Sequence, residues 1–371
     1  MPERNTMKKI QELQQVKGDA YDYYIAGNED TDLFEKIFLV DDIVEEICKP
    51  DKYFLIGEKG SGKTAYSVYM SKSDKINSFC SISLVENTLY QRFLNMKRQK
   101  ALELSSFKDV WINLIYLILA EKIRKEYGET FFSSMKYKQL SKAIDVFYSD
   151  AFKPEFVNAF EFVDNASASI NSMMKQGLFS TGTKASAETS QKYVEQSFQI
   201  SLLKIRDGFE KAFMSVNLKK PTILFVDGID ARPRDIDNEQ YFECLVGLVN
   251  AVLEMNQSFL KEKQIKIMLL IRPDIMYKMP VHNMNQKLRN NSVLLNWVTS
   301  YRKYIDSKLF KIADDYFMKQ QDYSYELGEC WNYYFPYKVE YQEKWKAPDN
   351  PFVEFLRYSL YKPRDILTML N

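Results

Sequence analysis

Eight consecutive residues, from Gly57 to Thr64, have the residue types and the spacing that bind a nucleoside triphosphate. They read Gly-Glu-Lys-Gly-Ser-Gly-Lys-Thr, which matches the P-loop pattern of one glycine, four further residues and then Gly-Lys-Thr. The glycines allow a tight turn in which several backbone N–H groups point at one anion. We expect Lys63 to reach the β- and γ-phosphates, and the Thr64 hydroxyl to ligate Mg²⁺. The predicted ligands are therefore ATP and Mg²⁺.

The residues on either side of this loop fit a strand–loop–helix unit. Tyr53 to Ile56 form a short apolar run that predicts a strand. Lys63 to Met70 contain no glycine or proline, which favours a helix whose N-terminus faces the phosphates. The predicted nucleotide-binding residues are Gly57, Glu58, Lys59, Gly60, Ser61, Gly62, Lys63, Thr64 and Ala65.

A second acidic position lies after another apolar run. Asp227 directly follows residues 222–226, which read Thr-Ile-Leu-Phe-Val and are typical of a central parallel strand covered on both faces. A carboxylate there can hold Mg²⁺ through water, opposite Thr64, which is the Walker B role. Gly228 stands where many ATPases carry a catalytic glutamate. The next carboxylate, Asp230, is the candidate to polarise the attacking water, and a turn-capping role is the alternative.

The segment from Asp227 to Asp230, Asp-Gly-Ile-Asp, resembles the Walker B segment of STAND-type ATPases, including NACHT proteins. These belong with the AAA+ proteins in the additional-strand class of P-loop ATPases. The resemblance implies an α/β fold in which helices flank a five-stranded parallel sheet and an all-helical lid follows. We also expect a homo-oligomer. Bacterial and phage-related ATPases of this kind include several that act in antiviral defence beside an effector subunit, which is the further partner that the resemblance implies.

The same resemblance implies roles for three arginines. Arg272, at the end of the predicted strand 265–271, is similar to the sensor-1 residue that reads the γ-phosphate. Arg289 lies in a segment that resembles the one carrying an arginine finger, which reaches the nucleotide of a neighbouring subunit. Arg364 follows Pro363 in the first turn of a predicted helix and looks like the sensor-2 arginine that AAA+ lids project onto the γ-phosphate. A solvent-exposed strand-end arginine is the alternative for Arg272, and other local uses are the alternative for Arg289.

One departure from the family pattern bears on the rate of hydrolysis. Family members usually carry another acid immediately after the second aspartate, and here that position is Ala231. We therefore expect an ATPase that binds ATP, hydrolyses it slowly and switches its conformation and oligomeric state. The predicted catalytic residues are Asp230, Arg272, Arg289 and Arg364. The alternatives are a nucleotide-gated scaffold without significant turnover, a small-molecule kinase and a DNA-remodelling motor.

The amino-acid composition argues against several other classes of function. The chain has 51 Lys and Arg against 50 Asp and Glu, so its net charge offers no support for a nucleic-acid or anionic-membrane partner. The single histidine, His282, argues against a His-based zinc site or a Ser/His/Asp triad. Four cysteines without CxxC spacing fit a reducing cytosol. The most apolar stretch, Val110 to Ala120, is too short to span a bilayer, so a soluble cytoplasmic protein is expected.

The pattern along the chain predicts three parts. They are a polar segment over residues 1–30 with helical periodicity from Met7 to Val16, a nucleotide-binding domain over 31–297 and a helical lid over 298–371. An insertion at about 130–200 includes an Ala/Ser/Thr/Gly-rich stretch, 165–190, that predicts a loop or a hairpin. The chain ends inside a helical pattern that begins near Pro363, which leaves open whether the natural polypeptide continues past Asn371.

Individual elements follow from apolar runs, helical periodicity and capping residues. Strands are expected at 53–56, 79–84, 222–226, 265–271 and 292–296. Helices are expected at 31–48, 63–70, 107–127, 134–152 and 237–260.

Overall fold

The fold is built around one parallel β-sheet. The computed structural model describes residues 7–25, 28–85, 107–132, 137–150, 202–229, 238–279, 290–339 and 350–371. The strands are β1 (Phe54–Ile56), β2 (Phe79–Leu84), β3 (Thr222–Asp227), β4 (Ile265–Ile271) and β5 (Ser292–Leu294). They form a five-stranded sheet in the order β2-β3-β4-β1-β5. The prediction of an α/β fold with a five-stranded parallel sheet is confirmed.

Helices occupy most of the remaining described chain. In the first part they are α1 (Tyr21–Ile25), α2 (Asn28–Ile37), α3 (Asp42–Cys48), α4 (Lys63–Lys72), α5 (Phe107–Phe132) and α6 (Lys138–Asp150). They continue with α7 (202–215), α8 (Asn238–Gln257), α9 (Pro273–Met276), α10 (Lys308–Met318), α11 (Glu329–Tyr334), α12 (Phe352–Tyr358) and α13 (Pro363–Leu370). Short 3₁₀ turns lie at Ile10–Glu12 and Tyr301–Asp306.

The middle strands are the most buried elements of the sheet. Every residue of β3 and β4 is buried, as expected for parallel strands that are covered on both faces. β3 pairs with β2 from Phe79↔Thr222 to Leu84↔Asp227, and β1 pairs with β5 from Phe54↔Ser292. All five strands lie within two residues of their expected positions, because uninterrupted apolar runs bounded by polar residues leave little room for another assignment.

The chain divides into two compact units. One, which we call the terminal unit, combines Met1–Ile76 with Ser292–Asn371, and the other, the central unit, is Asn77–Asn291. Strands β1 and β5 belong to the terminal unit, and β2, β3 and β4 belong to the central unit. The terminal unit is therefore discontinuous in sequence, with the central unit inserted into it.

The terminal unit has an aromatic core between its helices. Phe310, Phe317, Trp331 and Phe352 are all buried there, and Phe310 and Phe352 meet edge to face with ring centroids 5.0 Å apart. The buried carboxylate of Asp314 holds the start of α11, because it accepts hydrogen bonds from the backbone N–H groups of Gly328 and Trp331, both at 2.8 Å. Val16 and Ile37 pack into the same core.

The N-terminal segment departs from the sequence-based prediction. A helix was expected from Met7 to Val16, but only Ile10–Glu12 form a single 3₁₀ turn. The backbone N–H groups of Lys8, Gln14 and Val16 donate instead to side-chain oxygens of residues far along the chain. In a helix from Met7 to Val16, the N–H groups of Gln14 and Val16 would donate to i−4 carbonyls, so their long-range hydrogen bonds replace helical ones and override the local periodicity.

Two other helices differ in their extent. The expected helix at 31–48 is interrupted between α2 and α3, where Asp41 is extended and its side chain caps α3 by accepting from the N–H of Ile43 at 3.2 Å. Helix α5 runs on to Phe132, past Gly128, whose φ of 75° breaks the helical geometry. The expected loop or hairpin at 165–190 lies outside the described residues.

In the central unit, α5 and α8 pack closely. The Trp111 indole Nε1 donates to the carbonyl oxygen of Cys244 at 3.0 Å, and Gly247 lies directly against the start of α5. Near the end of α8, the Asn256 side-chain amide pairs with both backbone groups of Ile267, at 2.9 Å to N and 2.8 Å to O. Among the helices in the described ranges, none is long and apolar enough to cross a membrane.

Candidate functional site

The loop from Gly57 to Gly62 joins the end of β1 to the start of α4. Gly60 and Gly62 have φ angles of 84° and 92°, and Gly62 is the residue immediately before the helix. Residues with a Cβ rarely adopt this left-handed conformation. The predicted strand–loop–helix arrangement is therefore present, and two of the three glycines are required by the backbone itself.

Gly57 is needed for a different reason, which is space. A Cβ at this position would lie 2.3 Å from the Ser61 Oγ and 3.1 Å from the Leu295 Cβ. A Cβ here would force the Ser61 hydroxyl to move and would tighten the contact with Leu295. The first glycine of the pattern therefore allows the loop to fold back onto its own beginning.

The side chain of Lys63 lies across this loop. It is only 7% exposed, and its Nζ donates to the carbonyl oxygens of Gly57 at 2.8 Å and Glu58 at 3.3 Å. A buried ammonium group needs acceptors or an anion around it. The loop thus holds a positive charge at the start of a helix, where backbone N–H groups and the helix dipole also favour an anion.

Ser61 provides a further polar atom that fits an oxyanion ligand. The residue is 3% exposed, and its Oγ has no hydrogen-bond partner in the structure. Its backbone carbonyl accepts from the Trp297 indole Nε1 at 2.9 Å. Because an unsatisfied buried hydroxyl costs about 1–3 kcal/mol, a phosphate oxygen that accepts from this group would remove the cost. The donors present here therefore match the chemistry of a phosphate group.

Arg364 lies beside the same loop. Its backbone N–H donates to the carbonyl oxygen of Gly60 at 3.3 Å, and its guanidinium lies so close that a Cβ on Gly60 would be 3.2 Å from Nη2. The Nε atom pairs with the Asp365 carboxylate at 3.3 Å, and the Arg364 side chain is 43% exposed. Exposed pairs of this kind contribute little stability, so the guanidinium can exchange Asp365 for an anionic ligand.

The turn that leads into α13 has an unusual backbone. Leu360 and Tyr361 have φ angles of 50° and 59°, a conformation that costs a residue with a side chain about 1–2 kcal/mol. The Tyr361 ring stacks on Tyr301 with centroids 6.4 Å apart, which holds the second of the two residues. Strained backbone persists where its surroundings enforce it, and here it directs α13 towards the loop that starts at Gly57.

Asp227, the predicted Walker B aspartate, is the last residue of β3 in the central unit and is 7% exposed. Its Oδ1 accepts from the N–H of Gly228 at 2.7 Å. Gly228 itself has a φ of 84°, and a Cβ there would lie 2.9 Å from the carbonyl oxygen of Val85. A glutamate at this position would be both strained and crowded.

Arg272 directly follows β4, which pairs with β3, so Asp227 and Arg272 follow neighbouring parallel strands. The guanidinium forms a two-point ion pair with Asp274, with Nε–Oδ1 at 2.9 Å and Nη2–Oδ2 at 2.7 Å. The sequence interpretation missed Asp274, although its position two residues after a strand-end arginine is visible in the sequence. The other two predicted catalytic residues, Asp230 and Arg289, lie outside the described residues.

A polar network that no motif indicated connects the terminal unit's helices. Asp41 accepts from the Tyr66 hydroxyl at 2.9 Å and from Lys308 Nζ at 2.7 Å. Burial, followed by the charge of Asp41, raises the pKa of Tyr66, so this hydroxyl remains a donor at ordinary pH. The contacts join α3, the helix α4 that follows the loop 57–62, and the start of α10.

None of the protein families, curated proteins or solved structures compared with this chain matches it.

Proposed function

We propose that this protein is a P-loop ATPase of the AAA+/STAND kind, in which the parallel sheet is followed by a helical lid formed by α10 to α13. One observation carries the proposal: the loop between β1 and α4 surrounds the buried Lys63 ammonium and the unpartnered Ser61 hydroxyl, with Arg364 beside it. These groups are donors or cations, which is what a triphosphate requires.

The remaining roles follow from the sequence. Thr64, in the first turn of α4, would supply a hydroxyl ligand for Mg²⁺, and Asp227 a carboxylate. The ion neutralises charge on the phosphate oxygens when it is bound. Asp230 is the proposed group that orients the attacking water, and Arg272 and Arg289 are the proposed sensor and finger.

The proposed activity is a slow switch. Arg364 belongs to the lid, and Lys63 belongs to the phosphate-binding loop, so a γ-phosphate held by both would favour the arrangement in which they are close. Such a differential contact is what lets a ligand shift a conformational equilibrium. The excluded glutamate at Gly228 and the missing acid at Ala231 both favour a low rate of hydrolysis.

We further propose a cytoplasmic homo-oligomer in which Arg289 serves a neighbouring subunit, with an effector protein in antiviral defence as the partner. These proposals depend on the resemblance to STAND proteins alone. The balanced charge of the chain gives no support to a nucleic-acid partner.

The test compares Lys63 with a lysine outside the loop. Lys63→Ala should weaken MgATP binding at least ~100-fold, because it removes a buried cation and its charge-assisted hydrogen bonds. Lys75→Ala, which removes an exposed lysine beyond the end of α4, should change the affinity by less than about threefold. Isothermal titration calorimetry gives both affinities, and circular dichroism checks that each variant is folded. Unchanged MgATP affinity in a folded Lys63→Ala protein would refute the assigned site.

The geometry of Gly228 favours a second candidate, a scaffold that binds ATP and assembles but does not turn it over. Steady-state phosphate release separates the two functions. A slow ATPase should release phosphate above background and lose this activity in Asp230→Ala while it still binds MgATP. A wild-type protein that binds MgATP without release above background is instead the scaffold.

A further inference from the structure

Helix α13 connects two distant contacts of the terminal unit. It begins next to Gly60, where Arg364 lies, and it ends at Asn371, whose side chain contacts Val16. We infer that Asn371 is a positioning residue that acts through α13 to hold Arg364 against the phosphate-binding loop. This inference rests on the proposed function, since it assigns Arg364 a role in reading the γ-phosphate.

The contact at the end of α13 is a paired one. The Asn371 amide Nδ2 donates to the carbonyl oxygen of Val16 at 2.8 Å, and its Oδ1 accepts from the N–H of Val16 at 3.1 Å. Gln15 Nε2 donates to the Asn371 backbone carbonyl at 3.0 Å. The Tyr316 hydroxyl shares its one proton between the Gln14 carbonyl at 3.1 Å and the same Oδ1 at 3.3 Å. Three hydrogen bonds and this shared one therefore fix the end of α13 to the N-terminal segment and to α10.

Helix α13 depends on such contacts at its ends because it is short. Its eight residues span about 12 Å, and isolated helices of this length are not stable in water. Pro363 and Ile366 are buried along it, and Leu367 and Leu370 pack against the aromatic core of the terminal unit. The Gly60 contact at one end and the Asn371 contacts at the other add directional hydrogen bonds to this apolar packing.

The strained turn before α13 gives the Asn371 contacts a further role in positioning the helix. Leu360 and Tyr361 are held with positive φ, and relief of this strain would rotate the helix that follows them. If the Asn371 contacts are lost, the turn can relax towards ordinary backbone angles, and Arg364 moves with the first turn of α13. The contacts at Asn371 thus oppose a displacement that the turn itself favours.

The N-terminal segment offers a matched control on other elements. Lys8 is bound in the same manner, since its N–H donates to Gln321 Oε1 at 2.8 Å and its carbonyl accepts from the Tyr334 hydroxyl at 2.6 Å. Gln321 follows α10, and neither of these two hydrogen bonds involves a residue of α13. Gln321→Ala therefore loosens the same segment without releasing the helix that carries Arg364.

The experiment measures MgATP and MgADP affinities by calorimetry for the wild type and four variants. Arg364→Ala should weaken MgATP binding about tenfold, the loss of a charge-assisted contact, and leave MgADP binding within about twofold. Asn371→Ala should reduce the preference for MgATP over MgADP about threefold to fivefold. Gln321→Ala should leave that preference unchanged. The double variant Arg364→Ala/Asn371→Ala should bind MgATP no more weakly than Arg364→Ala, because both changes remove one contact.

Two outcomes would overturn the inference: an unchanged preference for MgATP over MgADP in Asn371→Ala, whether both affinities fall equally or neither falls, or additive losses in the double variant. If Arg364→Ala has no effect while Lys63→Ala abolishes binding, the nucleotide site stands and the inference falls. Asn371 is exposed, so its truncation leaves no core cavity. Asn371→Asp, which keeps the size and the acceptor but loses the Nδ2 donor, should give an intermediate loss of preference, and a preference equal to that of the wild type would count against the pairing with Val16.

Discussion

At the scale of single residues, glycine is selected by two separate constraints. Gly60, Gly62 and Gly228 have positive φ angles, whereas at Gly57 an added Cβ would collide with the Ser61 hydroxyl. Gly228 combines both constraints, which removes a carboxylate from the position where many ATPases use one. The slow rate proposed above therefore has a cause in local backbone geometry as well as in the missing acid at Ala231.

Gly60→Ala should lower the free energy of unfolding by about 1–2 kcal/mol, because alanine is strained at a φ of 84°. It should also weaken MgATP binding, since the new Cβ would meet Arg364 Nη2 at 3.2 Å. Gly18→Ala is the control, because no atom lies within 4 Å of its Cβ, and it should change the free energy of unfolding by less than ~1 kcal/mol in the stabilising direction. Urea denaturation measures both. Equal stability of the two variants would contradict the role of backbone strain at Gly60.

The sequence was sufficient to predict the strand–loop–helix unit around Gly57 to Gly62, because its residues are adjacent and their spacing is fixed. It was not sufficient for Trp297 or Asn371, which contact residues 236 and 355 positions away. Nothing in the types of these residues distinguishes them from an ordinary tryptophan or asparagine. Their roles arise only when the fold brings distant segments together.

At the scale of elements, the strands were predictable and the N-terminal segment was not. The run Thr222 to Val226 is apolar throughout, so no other pattern competes with a buried strand. Residues 7–16 have helical periodicity, but side chains on later elements bind the backbone of Lys8, Gln14 and Val16. Local propensity amounts to a few tenths of a kcal/mol per residue, and six hydrogen bonds to the backbone of these residues outweigh it.

The crossing of α5 and α8 gives a prediction at this scale. Gly247→Ala should destabilise the protein by about 1–3 kcal/mol, because its Cβ would lie 2.6 Å from the Phe107 Cβ and 3.0 Å from the Lys108 N. Gly208→Ala in α7 is the matched change, since no atom lies within 4 Å of its Cβ. It should stabilise by about 0.5–1 kcal/mol through the better helix propensity of alanine. Thermal denaturation should therefore shift in opposite directions, and shifts of the same sign would be evidence against close packing at this crossing.

At the scale of the whole molecule, both units contribute strands to one five-stranded sheet, but the chain builds the two units differently. The central unit is a single continuous stretch, and the terminal unit is assembled from both ends of the sequence. A boundary near residue 298 was expected from composition, because the chain becomes aromatic and helical there. Composition gave no sign that residues before Ile76 pack with this C-terminal part, since that pairing depends on contacts such as Val16 with Asn371.

The reactivity of the four cysteine thiols tests whether the buried positions in both units are closed to solvent. Cys48 is exposed, whereas Cys80, Cys244 and Cys330 are buried. Burial raises the pKa of Cys244 and of Cys330 to about 12 each, so these two form little thiolate, the reactive species, even at pH 9. Native protein should show one fast-reacting thiol in an Ellman assay and four in denaturant. Cys48→Ser should remove the fast reaction, and a second fast thiol would show that one of the buried sites opens readily.

The contacts of the N-terminal segment also have a consequence for biosynthesis. Lys8, Gln14 and Val16 bind residues that follow them by 313, 306 and 355 positions. At a translation rate of ~5–20 residues per second, the partners emerge roughly 15–70 seconds later. The whole central unit is made in this interval, so it can fold before the first segment has anything to bind. The hydrogen bonds between Val16 and Asn371 would then form after the central unit, and α13 would be fixed at both ends only at that stage.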